Sequence, residues 1–159
     1  MARDILFSET PLEVEILEFR VGGNAYGIDI NDVREILPYK TKPKTMPNSH
    51  PCIEGIIMPR DFIIPIINAE KSLKLTAADE AKHEMLIVTS IMNLNIGFHV
   101  DSVKGIHRVM NTELTKPGKK LTTSIKGLVI GILNRGDYKV EIIELRKIIS
   151  DINPEVVLG

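Results

Sequence analysis

The sequence predicts an all-β protein assembled from two similar small barrels. Three observations predict it. Isoleucine occurs 24 times in 159 residues while tryptophan is absent, and β-branched apolar side chains favour the pleated surface of a sheet. Apolar and polar residues alternate with the period of two that marks a half-buried strand. The chain also repeats itself: Gly27, Val33 and Ile36 recur 70 positions later as Gly97, Val103 and Ile106. Such a spacing is too long for a solenoid unit and fits a duplicated barrel of about five strands, the number that closes a small sheet and removes its edges.

The elements follow in order. Leu17, Phe19 and Val21 alternate with Glu18 and Arg20, which reads as a strand. Gly22-Gly23-Asn24 tolerates the positive φ of a tight hairpin, and Tyr26, Ile28 and Ile30 form the return strand. Asn31 to Glu35 reads as one helical turn, capped by Asn31 or Asp32. Thr41 to Pro51 holds three prolines and reads as an ordered surface loop. Ile53–Ile57 and Phe62–Ile67 read as strands around a Pro59-Arg60-Asp61 turn, with Pro65 placing the second at an edge or bulge. Ala69 to Leu75 is a short helix at most.

Residues 76–84 are polar and read as a seam between the halves. Met85–Ile91 and Ile96–Val100 read as a hairpin around Asn93-Leu94-Asn95. Leu114–Ser124 is a basic loop, Ile125–Leu133 and Tyr138–Ile143 are strands, and Glu144–Ile149 is a closing helix. Two further matches extend the repeat. Ile53-Glu54-Gly55-Ile56-Ile57 is matched to Ile125-Lys126-Gly127-Leu128-Val129, and Ile66, Ile67 and Lys71 are matched to Ile142, Ile143 and Lys147. The resulting division is a flexible tail over 1–11, a first barrel over 12–81, a second over 82–151 and a tail over 152–159.

Composition limits the function. Apolar residues make up 43% and charged residues 26%, a globular balance, and the net charge of −1 selects neither nucleic acid nor anionic lipid. The N-terminal ten residues lack the apolar core of a signal peptide, and the most apolar window, 53–67, is interrupted by charges and prolines well short of the ~20 residues of a membrane helix. The single Cys52 excludes an intramolecular disulfide and fits a reducing cytosol.

The residues at this point resemble the CheW-like domain over Val14 to Ile149. Four stretches carry the likeness: Phe19 to Ile30, Val33 to Ile36, Ile53 to Ile67, and Ile96 to Val103. Their order and spacing together are more specific than any one of them. The family's turn usually reads asparagine, leucine, arginine, glycine, whereas this chain has Met58-Pro59-Arg60-Asp61, and Asn68 and Glu70 stand where acidic and basic residues are usual. The resemblance implies two five-stranded SH3-like barrels packed side by side. It also implies a non-catalytic chemotaxis adaptor, cytoplasmic and recruited to membrane-bound receptor arrays. Its implied partners are the regulatory domain of the CheA histidine kinase and the cytoplasmic tip of chemoreceptors (methyl-accepting chemotaxis proteins). Carried onto this chain, it implies a receptor-binding groove formed by Val33, Glu35, Arg60, Val100 and Val103, with Gly55 and Gly127 as structural glycines near it.

Each residue has a plainer reading. Arg60 could be a solvated turn residue, the valines core, and Glu35 a surface charge whose pairing contributes about 0–1 kcal/mol. Gly55 and Gly127 permit a bulge or a close backbone approach. No cofactor is expected, and no metal: His50 and Cys52 offer two ligands without a third, and His99 and His107 lie on or near strands. There is no nucleophile elbow, phosphate loop or calcium loop. The lysines at 40, 42, 44, 116, 119 and 120 would suit nucleic acid only with aromatic stacking faces, and aromatics are 4%. An alternative to the adaptor is a small-molecule-binding or sensory module that uses the cleft between the barrels.

Overall fold

The structure is a computed structural model that describes Leu6, residues 8–75 and residues 84–152. The expected all-β class holds. The strands are β1 (Glu13–Val21), β2 (Asn24–Asp29), β3 (Val33–Pro38), β4 (Ile53–Ile57), β5 (Ile64–Asn68), β6 (Met85–Ile91), β7 (Leu94–Val100), β8 (Ser102–Met110), β9 (Leu114–Thr115), β10 (Val129–Asn134) and β11 (Lys139–Ile143). Short helices α1 (Ala69–Ser72) and α2 (Leu145–Ile152) each follow the last strand of a half.

The strands form two sheets, ordered β8-β1-β2-β11-β10-β9 and β3-β6-β7-β5-β4. Neither sheet is made from one half of the chain. The opening hairpin β1–β2 pairs with β8 and, in parallel, with β11. The equivalent hairpin β6–β7 pairs with β3 and, in parallel, with β5. The halves therefore exchange their hairpins, and a division at 81/82 cuts through both sheets.

The pairing also corrects the repeat. Ile53 faces Ile67 and Gly55 faces Ile66, with a bulge between them; Val129 faces Ile143 and Gly131 faces Ile142, with the same bulge. The counterpart of Gly55 is thus Gly131, and residues 53–68 repeat as 129–144. Ile125 to Gly127 form a turn before β10 rather than part of a strand.

Three apolar clusters hold the molecule together. Ile16, Val14, Val109, Leu133, Val140 and Ile142 fill one face of the six-stranded sheet, and Ile64, Ile66, Leu86 and Val88 one face of the other. The largest cluster lies between the sheets, joining Phe19, Tyr26 and Ile28 to Ile87, Ile96 and Phe98 under Leu145, Ile148 and Ile149 of α2. Strands with both faces buried read as continuous apolar runs, which explains Ile64 to Ile67.

Other local expectations change. The turn after β2 is a 3₁₀ turn over Ile30–Asp32 capped by Asp29, whose side chain accepts from the Asn31 N–H, and β3 begins at Val33. Pro65 lies on β5, which runs between β7 and β4, not at an edge. The β7 ladder begins at Ile66, so the donor that Pro65 lacks is not required there. The hairpin turn between β6 and β7 is Met92-Asn93, both at positive φ. Residues 8–12 are not a free tail. Asn111 donates to the carbonyls of Ser8 and Thr10 and accepts from the Leu12 N–H, and Leu6 is buried. The expected seam lies outside the described residues except for Glu84, as does the C-terminal tail except for Ile152.

Candidate partner-binding surface

β3 leaves the 3₁₀ turn with Arg34, Ile36 and Pro38 exposed and Val33, Glu35 and Leu37 turned partly inward. The β4–β5 turn then folds over the same region. Arg60 donates to Glu35 Oε2 at 3.3 Å, bringing together two of the residues singled out from the sequence. The side chain of Arg60 is 65% exposed, so the pair faces solvent and contributes little to stability by itself.

Sequence reasoning missed the surroundings of this pair. The Arg34 guanidinium lies 4.7 Å from the centre of the Phe62 ring and donates to Asn95 Oδ1 at 2.9 Å. Phe62, Ile63, Met58 and Ile36 are all exposed. Next to them a groove of about 550 Å³ runs between the end of β3 and the end of β4, with Leu37, Ile57 and Met58 on its walls and Lys40, Lys42 and Lys44 on its rim. An exposed apolar cluster edged by charge is the composition of a protein-binding surface. The six-residue apolar run from Phe62 to Ile67 gives no sign that its first two members, Phe62 and Ile63, point outward.

The remaining expected residues are distributed differently. Val33 and Val103 are half-buried and pack against the cluster between the sheets, one from each sheet. Val100 is 1% exposed, so it belongs to the core and offers no groove surface. Gly55 is buried with φ +152, and a Cβ there would strike the Lys44 carbonyl, so it is the close approach expected of it. Gly127, φ +78, has open space around it and serves its turn.

The histidines among the described residues are held by other partners. His99 Nδ1 lies 2.5 Å from Glu54, its ring stacks on Tyr39 at 3.8 Å, and Tyr39 donates to Glu54. His107 Nε2 lies 2.6 Å from Glu18, which also accepts from Tyr138 and Arg20. Burial opposes the charged forms of Glu18 and Glu54, yet these hydrogen bonds prevail and hold both carboxyls below the ordinary glutamate value. Burial, then the bond to Glu54, pushes the Tyr39 phenol up. His50 Nδ1 accepts from the Cys52 N–H. Among the described residues no three His, Cys, Asp or Glu side chains converge as a metal site, and no helix is long and apolar enough to cross a membrane.

With this geometry in place, comparison with known proteins is informative. The family model of the CheW-like domain matches residues 15–153. The chain is 32% identical over 119 residues to chemotaxis protein CheW of Thermotoga maritima, covering 74% of this chain and 78% of that one. It is 28% identical to a probable chemotaxis protein CheW of Rhizobium etli, covering 89% and 90%. Among solved structures it resembles the scaffolding protein TtCheW of Thermoanaerobacter tengcongensis, with a TM-score of 0.75 and 27% identity over 84% of this chain and 90% of that one. The match spans nearly the whole two-sheet unit, and the chain belongs to the CheW-like domain family.

Proposed function

We propose that this chain is a non-catalytic chemotaxis adaptor, coupling chemoreceptors to the CheA histidine kinase at cytoplasmic receptor arrays. The observation that carries this reading is the Arg60–Glu35 pair set among exposed Ile36, Met58 and Phe62. A charged pair in an apolar frame suits a helix laid across it, which buries the apolar side chains and meets the arginine with an acidic or carbonyl group. The names and scaffold role of the relatives supply the pathway. Gly55 lies at the β4 bulge and lets β4 approach the backbone of Lys44 on the groove rim.

The test has two arms. Calorimetric titration with the regulatory domain of a CheA kinase from the same source should give saturable one-to-one binding. Titration with a receptor-tip fragment should show Arg60→Glu weakening affinity by at least about tenfold, the size of a lost anchor contact. Because Arg60 is largely exposed, the variant should melt as the parent does. A folded variant with unchanged receptor affinity removes Arg60 from the site, and absence of kinase binding by the parent removes the coupling role.

A further inference from the structure

A second concavity lies between α1 and α2, and shares no lining residue with the groove beside the Arg60 turn. It is a cleft of about 240 Å³ lined by Cys52 at the start of β4, by Lys71 and Lys74 around α1, and by Leu128, Lys147 and Ile148 on the other side. The corrected repeat gives it meaning. Shifting by 76 positions converts Cys52 into Leu128 and Lys71 into Lys147. The cleft is therefore lined by repeat mates, and its walls belong to both halves.

Its chemistry is one-sided. Partly exposed Ile125 supplies apolar surface over a floor of buried Leu128, Ile148 and Ile152, and three lysines face one aspartate, Asp151. Lys147 and Asp151 are 3.6 Å apart and largely exposed, a pair that a competing anion can displace. Among the described residues Lys71 and Lys74 make no ion pair, although both act electrostatically on the Cys52 thiol. The volume falls below the ~300–1,000 Å³ of pockets for drug-sized ligands, which limits an occupant to a short chain or a single ring.

We propose that this cleft binds a small amphipathic organic anion, with its phosphate or carboxylate between Lys71, Lys74 and Lys147 and its apolar body against the partly exposed Ile125. Binding would bridge the two halves at their shared junction. The site is distinct from the partner surface and does not depend on the adaptor role.

Cys52 is the sole cysteine in the chain, half-buried in the cleft, and so reports on its occupancy. The experiment follows its alkylation by neutral N-ethylmaleimide in the full chain, with hexyl phosphate as the probe and inorganic phosphate and hexanol as controls. Hexyl phosphate should slow the reaction at least fivefold and saturably, while either control at the same concentration changes it less than twofold. In the Lys71→Glu/Lys147→Glu variant, whose changed residues are exposed, the protection should vanish. Amide shifts on titrating isotope-labelled parent with hexyl phosphate should cluster at residues 50–52, 71–74, 125–128 and 147–152. Protection by hexanol alone would show an apolar hollow without anion recognition and overturn the proposal. So would protection that survives in the double variant, or shifts elsewhere, or no protection. No partner protein enters the assay, so its failure leaves the adaptor reading standing.

Discussion

At single positions the duplication leaves matched constraints of unequal strength. Gly27 and Gly97 are repeat mates in β2 and β7. A Cβ on Gly27 would lie 2.5 Å from Ile16 Cγ2 and 3.0 Å from Val140, and one on Gly97 would lie 2.6 Å from Ile66 Cδ1. Ile16 Cγ2 is fixed to a branched carbon on a buried strand, whereas Ile66 Cδ1 is the end of a side chain and can turn aside. Both alanine variants should lose stability by overpacking, Gly27→Ala by about 2–3 kcal/mol and Gly97→Ala by about 1 kcal/mol. Urea denaturation measures both, and an equal or reversed order would refute the packing account. Glu18 and Glu54 make a pH prediction. Their folded carboxyls lie below the ordinary value of 4.5, so on acidification the unfolded chain takes up protons first. Their contribution is full above the unfolded value and lost as pH falls through the folded one. Stability should hold near neutrality and decline below about pH 4.5. Glu18→Gln should be less stable at pH 7 by about 3 kcal/mol, since it leaves a buried cluster without its anion, and should decline less steeply in acid. Identical acid slopes for parent and variant would show that Glu18 is not one of the titrating groups.

At the level of elements, helix α2 is fixed to the 3₁₀ turn before β3 by charge. Arg146 donates to both oxygens of Asp32, at 3.1 and 3.3 Å, and to Glu144 at 3.1 Å. Asp32 is buried, so removing the arginine strands an anion. Arg146→Met should cost about 3 kcal/mol, while Asp32→Leu/Arg146→Met should recover at least half of that loss. A double variant no more stable than the single one would show that the two side chains are not coupled. The repeat position of Arg146 is Glu70, which cannot supply an arginine's hydrogen-bond donors. The elements themselves were largely legible. Alternation and turn residues place β1, β2, β4, β6, β7 and β11 to within a few residues, because those signals are local. β8 was missed because its outward residues Lys104, Ile106 and Arg108 mix charge with apolar character and its inward ones include Gly105 and His107. Gly127 was matched to Gly55 because Ile125-Lys126-Gly127 copies the I-x-G string, whereas the counterpart that the ladder selects, with its bulge before Gly131, reads Val129-Ile130-Gly131.

The molecule as a whole depends on the hairpin exchange. The repeat is visible in the sequence, but each half carries the same pattern whether its hairpin pairs with its own later strands or with those of its mate. The usual adjacency of consecutive strands favours the first arrangement, and the structure has the second. The candidate site was legible only in part: Glu35 and Arg60, from two separate family-like stretches assigned to one groove, do meet, while the outward aromatic beside them and the burial of Val100 follow from tertiary packing. A consequence separates the two arrangements. If each half closed its own barrel, fragments 1–81 and 82–159 would fold separately. Under exchange, the first fragment carries β1–β2 without β8 and β11, and carries β3 and β5 without the hairpin between them. Each fragment would then expose unpaired edges and the apolar face of the shared core. Each alone should therefore lack a cooperative thermal transition. Mixed in equal amounts they should recover the parent's β-sheet circular dichroism with concentration-dependent stability, because reassembly is bimolecular. Two independently melting fragments would mean that the strands pair within each half.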